Sequence, residues 1–294
     1  MARSPRIPIA LLAAVPAAAA PLLAACGGGN GDAPSIPLAD ERGGGARIAD
    51  LVGEATWLDP TDEDSARCDL PPDRRAHVTG AALVAIDRFD ETGEGARGNH
   101  YVQDSAEEPA PYSGMTVFQP AFSPPDLRLV PGDVVDLLGV LTEFPGPSAG
   151  GFGYCRTLPE IGGTMSFRFE DRPARPKRVS VEDLKSYTSA RRYIGMLVRV
   201  EGVEIAGAPQ SSGGRYTASI NVGAGVPAGD VPRISNELYD LEAEGPPLTG
   251  RPSFQAVTGV LTYFYGFKIA PRCPADFEAP GAPPRDDGDD ACAL

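Results

Sequence analysis

The sequence predicts an all-β fold, two tandem five-stranded Greek-key barrels with minor short helices, and three observations carry that prediction. Glycine and proline fill 66 of the 294 positions, which disfavours long helices and favours short strands joined by turns. The chain matches itself: Gly139-Val-Leu-Thr-Glu-Phe-Pro-Gly146 and Gly259-Val-Leu-Thr-Tyr-Phe-Tyr-Gly266 agree at six of eight positions, 120 residues apart. Short apolar stretches alternate with turn residues through both halves.

Taken from the start, residues 1–25 contain no Asp or Glu, and Arg3 and Arg6 precede an Ala- and Leu-rich stretch. That is the layout of an export signal, and Pro8, Pro16 and Pro21 disfavour a permanent spanning helix. Its end, Leu23-Ala24-Ala25-Cys26, resembles a bacterial lipobox. The resemblance implies cleavage before Cys26, lipid attachment there with palmitate among the chains, and a membrane anchor. Gly27 in place of Asp points to the outer membrane. An ordinary signal peptide that ends near a cysteine is the alternative. Residues 26–45 include seven glycines and read as a flexible tether.

Four cysteines remain after Cys26, and an even number in an exported chain reads as disulfides. Of the three connectivities, Cys68–Cys155 with Cys273–Cys292 is favoured because each pair stays within one half. The second bond pins the acidic tail, residues 281–294, to the body. No C-x-x-C spacing occurs and only two histidines are present, which argues against a zinc or multi-His centre. No cofactor is implied.

Between tether and tail lie two expected domains. Residues 46–172 carry strands over 77–87, 99–103, 114–118, 133–144 and near 154–158. Residues 173–280 carry a brief helix over 181–189 with Ser180 as its cap, then strands over 196–205, 215–222, an unplaced middle strand, 253–264 and 267–270. Further matches keep the same order in both halves: Val78-Thr-Gly80 with Val200-Glu-Gly202, 48–51 with 181–184, and 159–161 with 274–277; Tyr216–Ser219 stands in the place of 101–104 without its Gln-Asp step. Five strands per unit suit a barrel of the OB type. A β-sandwich is the competing fold.

Tyr101-Val-Gln-Asp104, Ser113-Gly-Met-Thr-Val-Phe118 and Pro131-Gly-Asp-Val-Val-Asp-Leu-Leu-Gly-Val140 resemble the OB-like domain of bacterial secreted nucleases and related surface lipoproteins. The second unit resembles it through Gly195-Met-Leu-Val-Arg-Val-Glu-Gly202 and residues 254–271, without the Gln-Asp step. The likeness spans most of residues 46–280 and implies two OB-like copies. The separate nuclease domain that family members often carry does not fit in this chain.

Residues that carry chemistry are sparse. The only imidazoles are His77, which starts a strand, and His100, which precedes one and is open to exposure; no G-x-S-x-G elbow occurs. Asp59, Asp62, Glu63 and Asp64 cluster without the spacing of a calcium loop, and Asp286, Asp287, Asp289 and Asp290 do the same in the tail. Gln103 and Asp104 are expected to close a turn.

A net charge of −14 argues against a general nucleic-acid coat. Residues 74–171 sum to −7 and residues 172–280 to +2, with Arg172, Arg175, Lys177, Arg178, Arg191 and Arg192 near the junction. That segment reads either as a solvated linker or as an anion-binding patch. Tyr263 and Tyr265 replace Glu143 and Pro145 of the first repeat and fall on one strand face by period two. There they either stack bases or sugars or pack against the neighbouring unit.

The expectation is therefore a lipid-anchored cell-envelope protein, without catalytic residues or metal, that acts as a binding or assembly module. The alternative is an accessory factor for extracellular nuclease activity. It would bind single-stranded nucleic acid through Arg175, Lys177, Arg178, Tyr263 and Tyr265; an envelope protein is the other candidate partner.

Overall fold

A computed structural model describes residues 44–57, 68–89, 98–147, 151–153, 155–283, 285 and 292. These residues are mostly β-sheet with a few helical turns, and they belong to one compact unit. The first half contains α1 (Ile48–Leu51), β1 (Arg74–Ile86), β2 (His100–Asp104), β3 (Gly114–Ser123), β4 (Asp133–Phe144) and β5 (Leu158–Asp171). The second contains β6 (Lys177–Ser180), a 3-10 turn Glu182–Leu184, α2 (Tyr187–Ala190), β7 (Leu197–Glu204), β8 (Gln210–Ser212) and β9 (Arg215–Ser219). It continues with β10 (Arg233–Ser235), α3 (Leu241–Glu244), β11 (Ser253–Tyr263), β12 (Phe267–Ala270) and β13 (Phe277–Glu278).

In the first half β1 pairs with β2, β2 with β3, β3 in parallel with β5, β5 with β4, and β4 back with β1, so the ladder closes. The second half repeats this order. β9 pairs with β10, β10 in parallel with β12, β12 with β11, and β11 with β7. A bridge between Ile205 and Ile220 joins the β7 end back to the β9 end.

The registers also agree. Gly139 lies opposite Ala76 and Gly259 opposite Val198, which makes Val78-Thr-Gly80 equivalent to Val200-Glu-Gly202. Gly80 (φ +68°) and Gly202 (φ +66°) both take the left-handed conformation that favours glycine. In each half the strand turns its face over at that glycine: Ala76 and Val78 before it and Ala81 and Leu83 after it are buried, as are Val198, Val200, Val203 and Ile205.

Ahead of each first strand a segment runs parallel to it, Ala46 beside Val78 and Val179 beside Val200. A helical turn follows, in which Asp50 or Asp183 accepts the N–H of Arg47 (3.4 Å) or Ser180 (3.1 Å), each three residues back. The helix expected over 181–189 is two separate turns, because Ser186 caps the second by accepting the N–H of Ser189.

Three sequence readings change. The last strand of the first half begins at Leu158 instead of ending there, and runs to Asp171. Its Gly162-Gly163 pair fills a close approach, where a Cβ at Gly163 would meet the Leu138 carbonyl and one at Gly139 that of Gly162. Register aligns 101–104 with 219–222, three residues beyond the expected Tyr216–Ser219, so Gln103-Asp104 corresponds to Asn221-Val222. Likewise 159–161 corresponds to 267–269, and Pro274–Asp276 is a 3-10 turn.

Each half has a core, and Phe152 and Leu158 of the first half also enter the second. Ile48, Leu83, Met115, Leu137, Ile161 and Met165 fill the first, and Leu184, Ile194, Met196, Leu261, Tyr263 and Phe267 the second; burying a side chain of this kind contributes about 1.5–3 kcal/mol. A third cluster joins Ala82, Val84, Ala85 and Tyr101 of the first half to Leu197 and Val260 of the second. At this junction Gly114 and Gly195 meet, and a Cβ on either would strike the other strand's backbone. Cys68–Cys155 and Cys273–Cys292 are both disulfide-bonded.

Candidate functional site

The hairpin joining β11 to β12 combines exposed aromatic rings with nearby charge. Tyr263 pairs with Phe267, leaving Phe264, Tyr265 and Gly266 as the turn. Tyr265 (φ +51°) and Gly266 (φ +127°) are both left-handed. This break ends the period-two pattern, so the expected shared face of Tyr263 and Tyr265 does not exist. Tyr263 is 2% exposed inside the second core, whereas Phe264 and Tyr265 are 41% and 53% exposed.

Phe152, from the loop after β4, is the hub beneath these rings. Its ring centroid lies 5.7 Å from Phe144, 5.1 Å from Tyr263, 5.5 Å from Phe264 and 5.3 Å from Tyr265, each edge-on. Such contacts add about 0.5–1.5 kcal/mol beyond area burial. The Cys68–Cys155 bond closes the same loop. The loops after β4 and after β11, equivalent in the two repeats, thus converge on one aromatic platform. Phe144 and Phe264 hold the same position of the repeat, but Phe144 is half-buried and Phe264 is exposed.

Charges around the platform are matched. Arg156 pairs with Asp230 and lies 5.6 Å over the Tyr187 ring. Lys268 sits 2.6 Å from Glu237 and 5.8 Å from the Phe264 ring centroid. Burial pushes the Tyr263 hydroxyl up to about 12 against the opposing pull of Arg156. Burial by itself raises the Glu237 carboxyl, but Lys268 and Thr262 outweigh it and hold the group below its ordinary value. Exposed rings between neutralised ion pairs can stack a planar base or the apolar face of a sugar.

The basic segment does not join this platform. Lys177 lies opposite Val198, which pairs with Gly259, four residues and roughly 13 Å short of Tyr263 along the strand. Arg172 pairs with Glu170 at 2.8 Å, Arg178 with Glu201 at 3.4 Å, Arg191 with Glu143 at 2.8 Å and Arg192 with Asp183 at 3.4 Å. Arg175 is exposed, and its carbonyl accepts the Gln103 amide at 2.9 Å. Arg175, Lys177, Arg178, Tyr263 and Tyr265 therefore do not converge as one site.

Other sequence candidates acquire structural roles. His100 is buried instead of exposed, with Nδ1 3.0 Å from the Gly98 carbonyl and its ring against Phe122. Gln103 and Asp104 make long-range links instead of a local turn. Gln103 accepts the N–H of Leu197 at 2.8 Å, and Asp104 accepts those of Ile48 at 2.8 Å and Ala49 at 3.0 Å.

Cys26, Asp59, Asp62, Glu63, Asp64 and the tail residues Asp286, Asp287, Asp289 and Asp290 lie outside the described residues. Cys273, Asp276 and Cys292 come close enough to suggest an ion site. The two sulfurs are bonded to each other, however, and Arg272 occupies the Asp276 carboxylate at 2.9 Å.

Sequence reading missed a cleft of about 450 Å³ lined by Glu54, Tyr112, Ser186, Ser189, Arg191 and Arg192 among others. Arg191 is buried at its edge, donating to the Gly53 carbonyl and to Glu143 beneath the Trp57 ring. Its residues come from three distant stretches of chain, which no local pattern links. Compared with protein-family models, with curated proteins and with solved structures, the chain matches none.

Proposed function

We propose that this protein is a non-enzymatic binding module of the cell envelope, built from two OB-like barrels on a lipid anchor at Cys26, with Phe264 and Tyr265 as its ligand contact. The observation that carries the reading is the exposed ring pair on the loop between the last two strands of the repeat. Strand order 1-2-3-5-4 with a parallel 3/5 pair, found in both halves, supports the OB-like assignment. In that fold the loop between strands 4 and 5 is a ligand-binding loop. The lipobox supports the anchor, and the two disulfides fit an oxidising compartment.

A single-stranded nucleic-acid ligand is the second reading, favoured by stackable rings beside Lys268. Binding is to be measured against immobilised envelope glycans and against oligonucleotides at about 50 mM salt, where phosphate contacts are strong. Tyr265→Ala should weaken the interaction by about 1–3 kcal/mol and leave the fold intact. The same preparation should carry labelled palmitate, and Cys26→Ser should lose it. Unchanged affinity for every ligand in the Tyr265→Ala, Phe264→Ala double variant would remove the platform from function, and metal-dependent hydrolase turnover by the purified chain would overturn the non-enzymatic assignment.

A further inference from the structure

The two halves meet through different faces of the same repeat. The second half uses the outer side of β7 and β11, with Leu197 and Val260. The first uses the outer side of β1 and β2, with Ala82, Val84, Ala85 and Tyr101. The side-chain oxygen of Gln103 accepts the Leu197 N–H across this contact.

Because the registers coincide, each face has a counterpart on the other half. On β1 and β4 the counterpart of Leu197 is Arg75 and that of Val260 is Val140. Val140 and its neighbour Leu138 are 42% and 40% exposed, while Val260 is fully buried. At the β7 and β9 ends the counterpart of Ala82 is Glu204, and that of Gln103 is Asn221. Arg75, Glu204 and Asn221 are exposed, and the Glu204 carboxylate also accepts the Asn221 amide at 3.1 Å.

Where the chain buries an apolar pair, Leu197 with Ala82, the free counterparts are a cation and an anion. An amide stands at the third position in both cases. We infer that the uncovered β1–β4 face of one copy docks on the β7–β9 face of another, repeating the internal contact between chains. Leu138 and Val140 supply the apolar area, and Arg75 with Glu204 sets the choice of partner. The contact is head-to-tail, so it builds rings or filaments instead of closed two-fold pairs. It goes beyond the ligand platform and holds whatever that platform binds.

Sedimentation of the full chain in mild detergent, over a concentration series, tests this. The wild-type chain should exceed one copy as concentration rises. Arg75→Glu and Glu204→Arg should each weaken association about tenfold or more, since each sets like charges face to face. The double variant should regain association, and an equal mixture of the two single variants should also regain it beyond pairs, because unlike copies alternate with opposite charges at every contact. Both positions are on the surface, so thermal unfolding midpoints should stay at the wild-type value, which separates lost association from misfolding. A wild-type chain that remains single at every attainable concentration, or a double variant no better than its parents, would overturn the inference. So would a Leu138→Asp, Val140→Asp variant that keeps full self-association.

Discussion

Glu160 sits half-buried on β5 opposite Thr116 and Thr142. Burial, with Asp73 adding repulsion, raises its carboxyl from 4.5 to about 7. Folding therefore takes up a proton between those values, so this residue's contribution to stability is most favourable near pH 4 and is lost as pH rises to about 7. Glu160→Gln removes that loss. The variant should match the wild type near pH 4 and exceed it at pH 8 by on the order of 3 kcal/mol, checked by thermal unfolding across pH. Burial also raises the Asp104 carboxyl, although the N–H groups of Ala49 and Ile48 pull it down. A carboxylate spent on a helical turn 55 residues away is anchoring structure, not chemistry.

Glycines at the scale of the element do two separate jobs. At Gly80 and Gly202 a positive φ turns the strand face over, and at Gly114 the absence of a side chain lets β3 approach the backbone of Met196. Interiors packed this closely relax little when atoms are added. Gly114→Ala should therefore cost about 1–3 kcal/mol, seen as a lower denaturant midpoint with an unchanged slope. The β11–β12 hairpin shows the complementary case. Its left-handed Tyr265 and Gly266 decouple the outer rings from the strand period, so one tyrosine enters the core while the other faces solvent.

Across the whole molecule, two cores and one junction are tied by two covalent links with unequal reach. Cys68–Cys155 spans 87 residues and closes the loop that bears Phe152, whereas Cys273–Cys292 spans 19 and holds the end of the chain. On chain-entropy grounds the first stabilises by about 4–5 kcal/mol and the second by about 3. Cys68→Ser with Cys155→Ser should thus lower unfolding free energy more than Cys273→Ser with Cys292→Ser. Because the longer link supports the aromatic platform, its loss should also weaken ligand binding, which calorimetry on the two double variants separates.

Much of this architecture was legible beforehand, for reasons that particular residues make plain. Strand periodicity, the left-handed glycines at 80 and 202 and the turns around 146 and 266 are local properties, and a repeat states them twice. The even set of cysteines carried their pairing, because each bond closes within one repeat. The candidate site was legible only in part: Tyr265 is exposed as a ligand contact requires, but Tyr263 is core, and Phe152 joins the site from the other repeat. The last strand of the first half, expected near 154–158, runs over Leu158–Asp171 instead, because its register is set by pairing with β3 and β4 and not by its own residues. What the tertiary structure alone decided is which outward face is covered. Val140 and Val260 are the same residue at the same position of the same motif, yet one is 42% exposed and the other buried, because only the second meets a neighbouring half. Burial of an outward side chain is a property of what packs against it, and that partner lies far away along the chain.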